Sequence, residues 1–511
     1  MAITLQKKGA ILLIEGLDVS KPAEFISERA SPDNQNFTVH RALLTKRVGT
    51  VASGVSLGEE VMIGTEFSRE GSNYNIRIGL TKIQRNIAET WTDIGHEDFT
   101  GTTDDIFDFA IPLLGGKQIL VVTNGIDPMR KWEASGDTAV LGGDPPVAKF
   151  IQEYKTYLVG AHILGGTDVD TRVQWSDTAN PEEWADGNAG AKDLEEDGGE
   201  ITGMNIFGNY LCIHKDKSIY LGYLVDTTAV FRFDRKATGA GTCANNSIVN
   251  FPTGEQGFLA PDGLRIFNGI TATLIDGFIN DEIRDSINNE KRHKAFGVLV
   301  REQDEAWFFI PTGASTFVCY KFNYVTRVLY KDLRLGASAA WRSGQSTSIT
   351  WDMAVGTWDT QIERWNSSSF AADFPLIYIG FDNGDVEVVN NSSSDDAGEP
   401  ILSFWESKDF MEIGPDGAPT GNLLRWQELE LYAKGTSIQV EYSTDAGQTW
   451  NEMLGSPTTL MDEFPTDYEP LIYYFDVVSS MVRFRFSNNE LGGTLFIKQF
   501  LAGYLSRERR K

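Results

Sequence analysis

The sequence predicts a mainly β protein, with a β-propeller-like repeat domain followed by a small antiparallel β-sandwich. Three observations predict this class: a recurring strand–turn–strand unit, a scarcity of helical patterns, and a new strand pattern after a polar linker. A hairpin cannot bury its apolar face alone, so repeated hairpins must stack or close radially. We expect an irregular docking segment at residues 1–60, the propeller-like domain at 61–390, the sandwich at 398–505 and a basic tail at 506–511.

The recurring unit consists of two short apolar runs on either side of a polar turn. Asp262 and Gly263 form one such turn, and Asn383 and Gly384 form another. Asp-Gly and Asn-Gly are favoured in tight hairpins because these residues accept positive φ angles. The units recur very roughly every 40–70 residues, which overlaps the period of four-stranded propeller blades. Their uneven spacing leaves the number of blades open.

One segment, residues 280–293, has the pattern of a short surface helix. Ile283 and Ile287 lie four residues apart, and acidic residues precede basic ones, as the helix dipole favours.

The segment after the polar linker at 390–398 has a different strand pattern. Apolar and polar residues alternate there, which is typical of strands with one face in a core and the other in solvent. The alternating runs are residues 426–432, 437–442 and 481–487, and a further run at 495–501 closes the module. These runs predict the sandwich.

The net charge is −27, from 72 acidic and 45 basic residues. This balance argues against a general binder of nucleic acid or anionic membranes, whose surface would carry clustered Lys and Arg. Two interpretations stay open: an ordinary acidic surface, or a wall past which DNA slides without binding.

The cysteines and the N-terminus indicate the compartment of synthesis. Cys212, Cys243 and Cys319 are odd in number and show no Cys-x-x-Cys spacing, so neither a disulfide scaffold nor a zinc site is expected. The first residues lack the pattern of a signal peptide or a membrane span. We therefore expect synthesis in a reducing cytoplasm and no direct membrane anchor.

No catalytic set is recognisable, so we expect no enzyme activity, no catalytic residues, no cofactor and no metal. The five histidines form no metal-binding pair, and the nucleophile-elbow, Walker and dinucleotide motifs are missing. The acidic segment 186–200 is expected to be a solvated loop. Calcium binding there stays open because carboxylates are its ligands, although the EF-hand spacing is missing.

Ser443, Asp445, Gly447 and Trp450 fit the pattern Ser-x-Asp-x-Gly-x-x-Trp, which resembles the Asp-box of sialidases and related propellers. We interpret it as a structural hairpin turn. Asp445 is expected to accept backbone N–H bonds, Gly447 to take the strained position, and Trp450 to pack beneath.

Trp175 and Trp184 form a second aromatic cluster. They are weak candidates for stacking against a sugar ring, and the alternative is that they pack between blades.

Taken in order, these features resemble the tail nozzle or tail hub proteins of short-tailed bacteriophages, a family of head–tail connector proteins. The segments that carry the resemblance are residues 16–49, 123–132, 173–184 and 208–269, followed by the sandwich with its Ser-Thr-Asp-Ala-Gly hairpin.

The resemblance implies a structural virion protein, made in the host cytoplasm, that forms a homohexameric ring below the portal and its adaptor. DNA would be retained in the channel and later ejected through it without specific binding. The implied partners are further copies of this chain, the portal-adaptor protein, and tail fibre, spike or tail-tip proteins. The alternative function is a glycan-binding or glycan-hydrolysing propeller used in host attachment.

Overall fold

The computed structural model describes residues 6–7, 10–40, 42–87, 90–95, 98–164, 169–225, 230–275, 279–313, 316–344, 375–415, 419–464 and 470–506. The predicted class is confirmed: the chain is mainly β, with a propeller and a sandwich built from antiparallel sheets.

The described residues of the propeller form seven blades, each a sheet of four antiparallel strands. In chain order the strands are Val61–Arg69, Ser72–Gly79, Ile83–Ile87 and Thr90–Asp93 in blade 1; Asp108–Ala110, Leu120–Thr123, Arg130–Trp132 and Ala139–Val140 in blade 2; Val147–Tyr154, Tyr157–Leu164, Val169–Trp175 and Gly190–Asp193 in blade 3; Ile201–Phe207, Tyr210–Lys215, Ser218–Leu224 and Phe231–Thr238 in blade 4; Val249–Asn250, Gln256–Ala260, Gly263–Phe267 and Ala272–Leu274 in blade 5; Phe296–Val300, Glu305–Pro311, Thr316–Asn323 and Leu329–Leu335 in blade 6; and Ala337–Ser343, Leu376–Phe381, Val386–Asn390 and Gly49–Ala52 in blade 7. A small hairpin, Leu113–Leu114 with Lys117–Gln118, extends from blade 2, and Asp395–Asp396 and Glu399–Pro400 extend blade 7.

Blade 7 combines strands from distant parts of the chain. Gly49–Ala52 pairs with Val386–Asn390, so that Thr50 lies opposite Val389. The first strand of blade 7 lies beside the first strand of blade 1, where Ser338 Oγ donates to the carbonyl oxygen of Val61 at 2.8 Å. The circle of blades is thereby closed, and the N-terminal strand holds the closing blade.

Gly64 is required where blades 1 and 7 meet. A Cβ atom at this position would overlap the indole ring of Trp341, which is itself fixed by donating to Asn75 Oδ1 at 2.7 Å. We expect Gly64→Ala to lower the free energy of unfolding by about 1–3 kcal/mol, because overpacking forces neighbouring groups to shift. Urea denaturation would measure this, with Gly344→Ala as the control, since there a methyl group meets only the end of the Glu66 side chain. Equal losses in the two variants would contradict the prediction.

The sandwich consists of two sheets around one apolar core. The first sheet contains, in spatial order, Phe37–His40, Leu43–Lys46, Leu495–Ser506, Leu424–Gly435 and Leu471–Ser479, with Gln6–Lys7 beside Leu495–Ser506. The second contains Asn34–Gln35, Ser403–Glu406, Met481–Asn488, Ser437–Ser443 and Asn451–Glu452, with Phe410–Met411 and Thr458–Thr459 pairing alongside. Trp405, Trp426, Phe484 and Phe500 fill the space between the sheets.

The N-terminal segment, expected to be irregular, is built into both domains. Its strands between residues 34 and 46 belong to the two sandwich sheets, whereas Gly49–Ala52 belongs to blade 7. Phe37 and Leu44 are buried in the sandwich core. The two domains therefore share one continuous stretch of chain.

A network of buried charges joins the sandwich to blades 6 and 7, and we call it the joint network. Arg47 donates two hydrogen bonds to Asp396, at 2.8 and 2.5 Å, and its Nε lies 3.8 Å from Asp332. Arg334 donates to Asp396 at 3.0 Å, and Lys321 pairs with the fully buried Asp332. Burial alone would raise the pKa of Asp396, but the hydrogen bonds from Arg47 and the charge of Arg334 lower it to about 2.

The predicted helix is shorter than expected. The α-helix covers Asn280–Ser286, and the remainder of the predicted span contains only a 3-10 turn at Arg292–Lys294. Ile287 is extended, and the N–H of Asn288 donates to Pro311 of blade 6, so the chain leaves the helix there. Further 3-10 turns cover Asn245–Ser247 and Arg301–Gln303. None of the helices in the described ranges is long and apolar enough to cross a membrane.

Candidate functional site

The first strands of the seven blades surround a cavity of about 640 Å³. Each blade contributes residues to its wall, among them Thr65, Asp108, Glu153, Asn205 and Arg342. The cavity is therefore the central channel of the propeller.

Ion pairs connect the loops around this channel. Lys294, before blade 6, donates to Glu60, before blade 1, at 2.5 Å. Lys291 pairs with Asp104, and His293 Nε2 lies 3.0 Å from the carbonyl oxygen of Asp104. Burial lowers the pKa of His293, although its contact with Asp104 opposes this shift. These contacts tie the segment before blade 6 to the loops that precede blades 1 and 2.

Asp108 is a buried carboxyl group in the wall of the channel. Its oxygens accept the backbone N–H groups of Phe109 and Ile151, both at 2.9 Å, so it connects blades 2 and 3. Burial raises its pKa to about 7 because the charged form loses its hydration. Because both carboxyl oxygens accept hydrogen bonds from backbone N–H groups, we interpret Asp108 as a structural group of the channel wall.

A second cavity, of about 680 Å³, lies among the loops of blades 3 to 6. Lys149, Lys217 and Arg292 line it together with acidic residues and the segment 239–243. That Gly-rich segment connects blades 4 and 5, and the backbone of Lys215 lies so close to Gly241 that a side chain would not fit. The lining carries both positive and negative groups, so the charge of this cavity favours no single class of ligand.

The Asp-box-like residues form the turn after Ser437–Ser443 in the sandwich. Asp445 accepts the N–H of Thr449 at 2.9 Å and its hydroxyl at 2.6 Å, and Ser443 Oγ accepts the N–H of Gly447 at 2.9 Å. Hydrogen bonds from Thr449 and Ser443 lower the pKa of Asp445 to about 2. Gly447 has a φ of 85°, and the ring of Trp450 lies 3.9 Å from the guanidinium carbon of Arg485. These contacts hold the turn together within the sandwich.

Removing the carboxylate should loosen this turn without unfolding the sandwich. In Asp445→Ala, the N–H of Thr449 loses its acceptor, so its hydrogen exchange should become faster. Exchange followed by mass spectrometry would measure this, with Asp137→Ala, at an exposed position in blade 2, as the control. Unchanged protection at residues 443–450 would show that the carboxylate does not hold the turn.

The two tryptophans suggested for sugar stacking are buried. Trp175 is 5% exposed and Trp184 is 7% exposed. Their indole N–H groups donate to the backbone carbonyls of Asn188, at 2.9 Å, and Pro181, at 2.8 Å. Trp175 also packs edge-on against Phe231 of blade 4, with ring centroids 5.1 Å apart. Because neither ring offers an open face to a ligand, the sugar-stacking interpretation is corrected to packing between blades.

Carboxylates of the acidic segment 186–200 are paired with cations. Asp193 accepts two hydrogen bonds from Arg172, at 2.7 and 2.9 Å, which lower its pKa. Asp197 accepts from the buried Lys215 at 2.8 Å. In the part of the chain that the structure describes, no cluster of three or more His, Cys, Asp or Glu side chains could hold a metal ion. Calcium binding, which the sequence left open, therefore has no candidate site among the described residues of this segment.

Sequence reasoning missed the channel residues. The signal that could have found Asp108 is an acidic residue inside the apolar run Phe107-Asp108-Phe109-Ala110, since buried carboxylates are rare unless they have partners. The pairing of Glu60 with Lys294 left no comparable signal, because the two residues are 234 positions apart.

The topology thus defines a β-propeller fused to a β-sandwich. No protein-family model matches the sequence, and no curated protein matches it. Among solved structures, the chain is similar to BamB from Moraxella catarrhalis, with 11% identity, a TM-score of 0.37, and coverage of 75% of this chain and 97% of that one. It is also similar to PorZ, a surface component of the type-IX secretion system of Porphyromonas gingivalis, with 10% identity, a TM-score of 0.33, and coverage of 79% and 46%.

A third similar structure is the extracellular domain of a hybrid two-component system protein from B. thetaiotaomicron, with 10% identity, a TM-score of 0.33, and coverage of 65% and 47%. The chain therefore spans about half the length of the second and third structures.

Proposed function

We propose that this protein is a structural subunit of a bacteriophage tail, a nozzle or hub that forms a homohexameric ring below the portal and its adaptor. DNA is held in the lumen of the ring and leaves through it during infection. Tail fibre, spike or tail-tip proteins are the other partners. The chain itself performs no chemical step in this function.

The observation that carries the proposal is the continuous hydrogen-bonded connection between the two domains. The N-terminal segment contributes strands to both, and the joint network is buried between them. A subunit of a conduit must keep its shape while DNA under pressure passes it, and a continuous hydrogen-bonded connection supplies that stiffness. A propeller on a flexible linker would instead move independently of its sandwich.

The size of the central channel decides where the DNA path lies in this proposal. A cavity of about 640 Å³ is far too small for a duplex whose major groove alone is about 12 Å wide. The lumen is therefore formed between copies of the chain. The net charge of −27 suits such a lumen, because an acidic wall does not bind phosphates.

Labelling of phage particles tests the proposal. Gold-labelled antibody raised against the purified chain should bind at one vertex of the capsid, where the tail is attached, whereas pre-immune antibody should not bind. Particles that lack the protein, together with saturable binding of the purified chain on a glycan array, would overturn the proposal. That outcome would favour the alternative function in host attachment.

A further inference from the structure

The strand Leu471–Ser479 lies at the edge of the first sandwich sheet that is farthest from the propeller. The opposite edge, Phe37–His40, touches blade 6, where Thr38 Oγ1 donates to Glu305 at 3.2 Å. Four strand spacings separate the two edges, or about 19 Å. Leu471–Ser479 pairs with Leu424–Gly435 on one side, and among the described residues no strand pairs with its other side.

This edge lacks the features that normally protect a free strand. Natural edge strands carry Lys or Pro, or are short, because their unpaired N–H and C=O groups invite another strand. This strand has nine residues, contains neither Lys nor Pro, and exposes Ile472, Tyr474 and Val478 by 41%, 63% and 55%. Asp476, which is paired with Arg425, is the only charged residue on it. A largely apolar exposed row beside unpaired backbone groups marks a surface that another polypeptide covers.

The surroundings of this edge are acidic. Glu428 and Glu430 lie opposite Tyr474 and Ile472 on the neighbouring strand, whereas Arg425, opposite Val478, is paired with Asp476. Exposed Asp462 and Glu463 lie in the segment that leads toward the edge. A strand that pairs here should therefore carry positive charge.

Blade 4 carries a strand with this property. Phe231–Thr238 is the longest outer strand of the seven blades in the described ranges that the rest of the chain leaves uncovered. Arg232, Arg235 and Lys236 are exposed along it. Arg232 and Lys236 share the strand's single acidic residue, Asp234, and Arg235 lies 3.9 Å from Asp197, so the strand itself keeps a net positive charge. In a chain with a net charge of −27, this strand is an unusual cationic edge.

We propose that the Leu471–Ser479 edge of one copy pairs with the Phe231–Thr238 edge of a second copy, so that the blade 4 sheet of one subunit continues into the sandwich sheet of the next. This inference rests on the proposed ring and identifies its contact. Pairing of two Leu471–Ser479 edges with each other would bring the acidic surroundings of both copies together, and like charges disfavour that arrangement. Each copy therefore contributes its Leu471–Ser479 edge to one neighbour and its Phe231–Thr238 edge to the other. This is the head-to-tail arrangement from which closed rings are built.

Charge exchange tests this contact in the full-length protein. We expect the triple variant R232E/R235E/K236E to weaken assembly by on the order of 100-fold or more, because like charges would then meet. The double variant D462K/E463K should weaken it by a smaller factor, because it cancels the acidic charge that the cations of blade 4 meet. An equimolar mixture of the two variants should assemble better than the triple variant alone, since its acidic blade edges then meet sandwich edges whose acidic charge is cancelled. Analytical ultracentrifugation over a concentration series would measure this.

The controls separate a change of contact from a change of fold. Lys117→Glu alters an exposed cation on the blade 2 hairpin and should leave assembly unchanged. Val478→Lys should prevent assembly while the unfolding midpoint of the monomer stays the same, because lysine protects an edge strand.

Rings that persist in all of these variants would overturn the proposed contact while leaving the function in the tail standing. A wild-type chain that stays monomeric at every concentration would also overturn the contact. Failure of the function would appear separately, as particles without antibody label.

Discussion

Replacing Asp332 with alanine is expected to lower the free energy of unfolding by about 3–5 kcal/mol and to separate the unfolding of the sandwich from that of the propeller. Asp332 is fully buried, pairs with Lys321, and lies 3.8 Å from Arg47. Without it, two buried cations lose a counter-charge in a place that water does not reach. Removing one partner of a buried ion pair lowers the free energy of unfolding because the remaining charge stays desolvated.

Urea denaturation followed by tryptophan fluorescence would measure the effect. Trp307, over which Lys321 lies at 4.4 Å, is in blade 6, and Trp405 is in the sandwich core. We expect one transition in the wild type and two in the variant. Asp476→Ala, which removes an exposed ion pair with Arg425, is the matched control and should leave the midpoint unchanged. If both variants behave alike, the joint network does not couple the domains.

The second large effect is a loss of stability as the pH rises from about 4 to 7. Burial raises the pKa of Asp108 from 3.8 to about 7 in the folded protein. Between these two values the folded state binds more protons than the unfolded state, so the free energy of unfolding falls as the pH increases. A shift of this size corresponds to at most about 4 kcal/mol over the whole interval.

The test compares slopes rather than absolute stabilities. Urea midpoints measured between pH 4 and pH 8 should fall less steeply in Asp108→Asn than in the wild type, because the amide does not titrate. Asp137→Asn should retain the wild-type slope. Parallel curves for wild type and Asp108→Asn would mean that Asp108 does not titrate in this interval.

Local patterns predicted the parts of the fold that depend on near neighbours. The turns at Gly263 and Gly384 join paired strands, and both glycines have positive φ angles, as the dipeptides indicated. The helix was predicted to begin at Asn280, where it does begin, but its end was predicted wrongly. It stops at Ser286 because Asn288 bonds to blade 6, a contact that helix propensity does not contain.

Features that depend on distant contacts could not be predicted in this way. The burial of Trp175 results from packing against Phe231 of the next blade, and Thr50 reaches Glu387 across 337 residues. The free edge at Leu471–Ser479 becomes visible only after the order of strands in the sheet is known. The alternating pattern of that segment predicts a strand but does not indicate which strands lie beside it.

The segment between residues 34 and 52 is made long before the strands of the sandwich and of blade 7 with which it pairs. Lys46 donates to Asn488, which leaves the ribosome 442 residues later, and at about 5–20 residues per second this takes roughly 20–90 s. During translation, Phe37–His40 and Leu43–Lys46 can pair only with each other, while Asn34–Gln35 and Gly49–Ala52 wait for partners that are made much later. The nascent chain can build blades one after another, but the propeller cannot close before Val386–Asn390 is made, and the sandwich cannot form before Leu495–Ser506 is made. Truncated products will therefore expose unpaired strands, and we expect chaperones and proteases to recognise them.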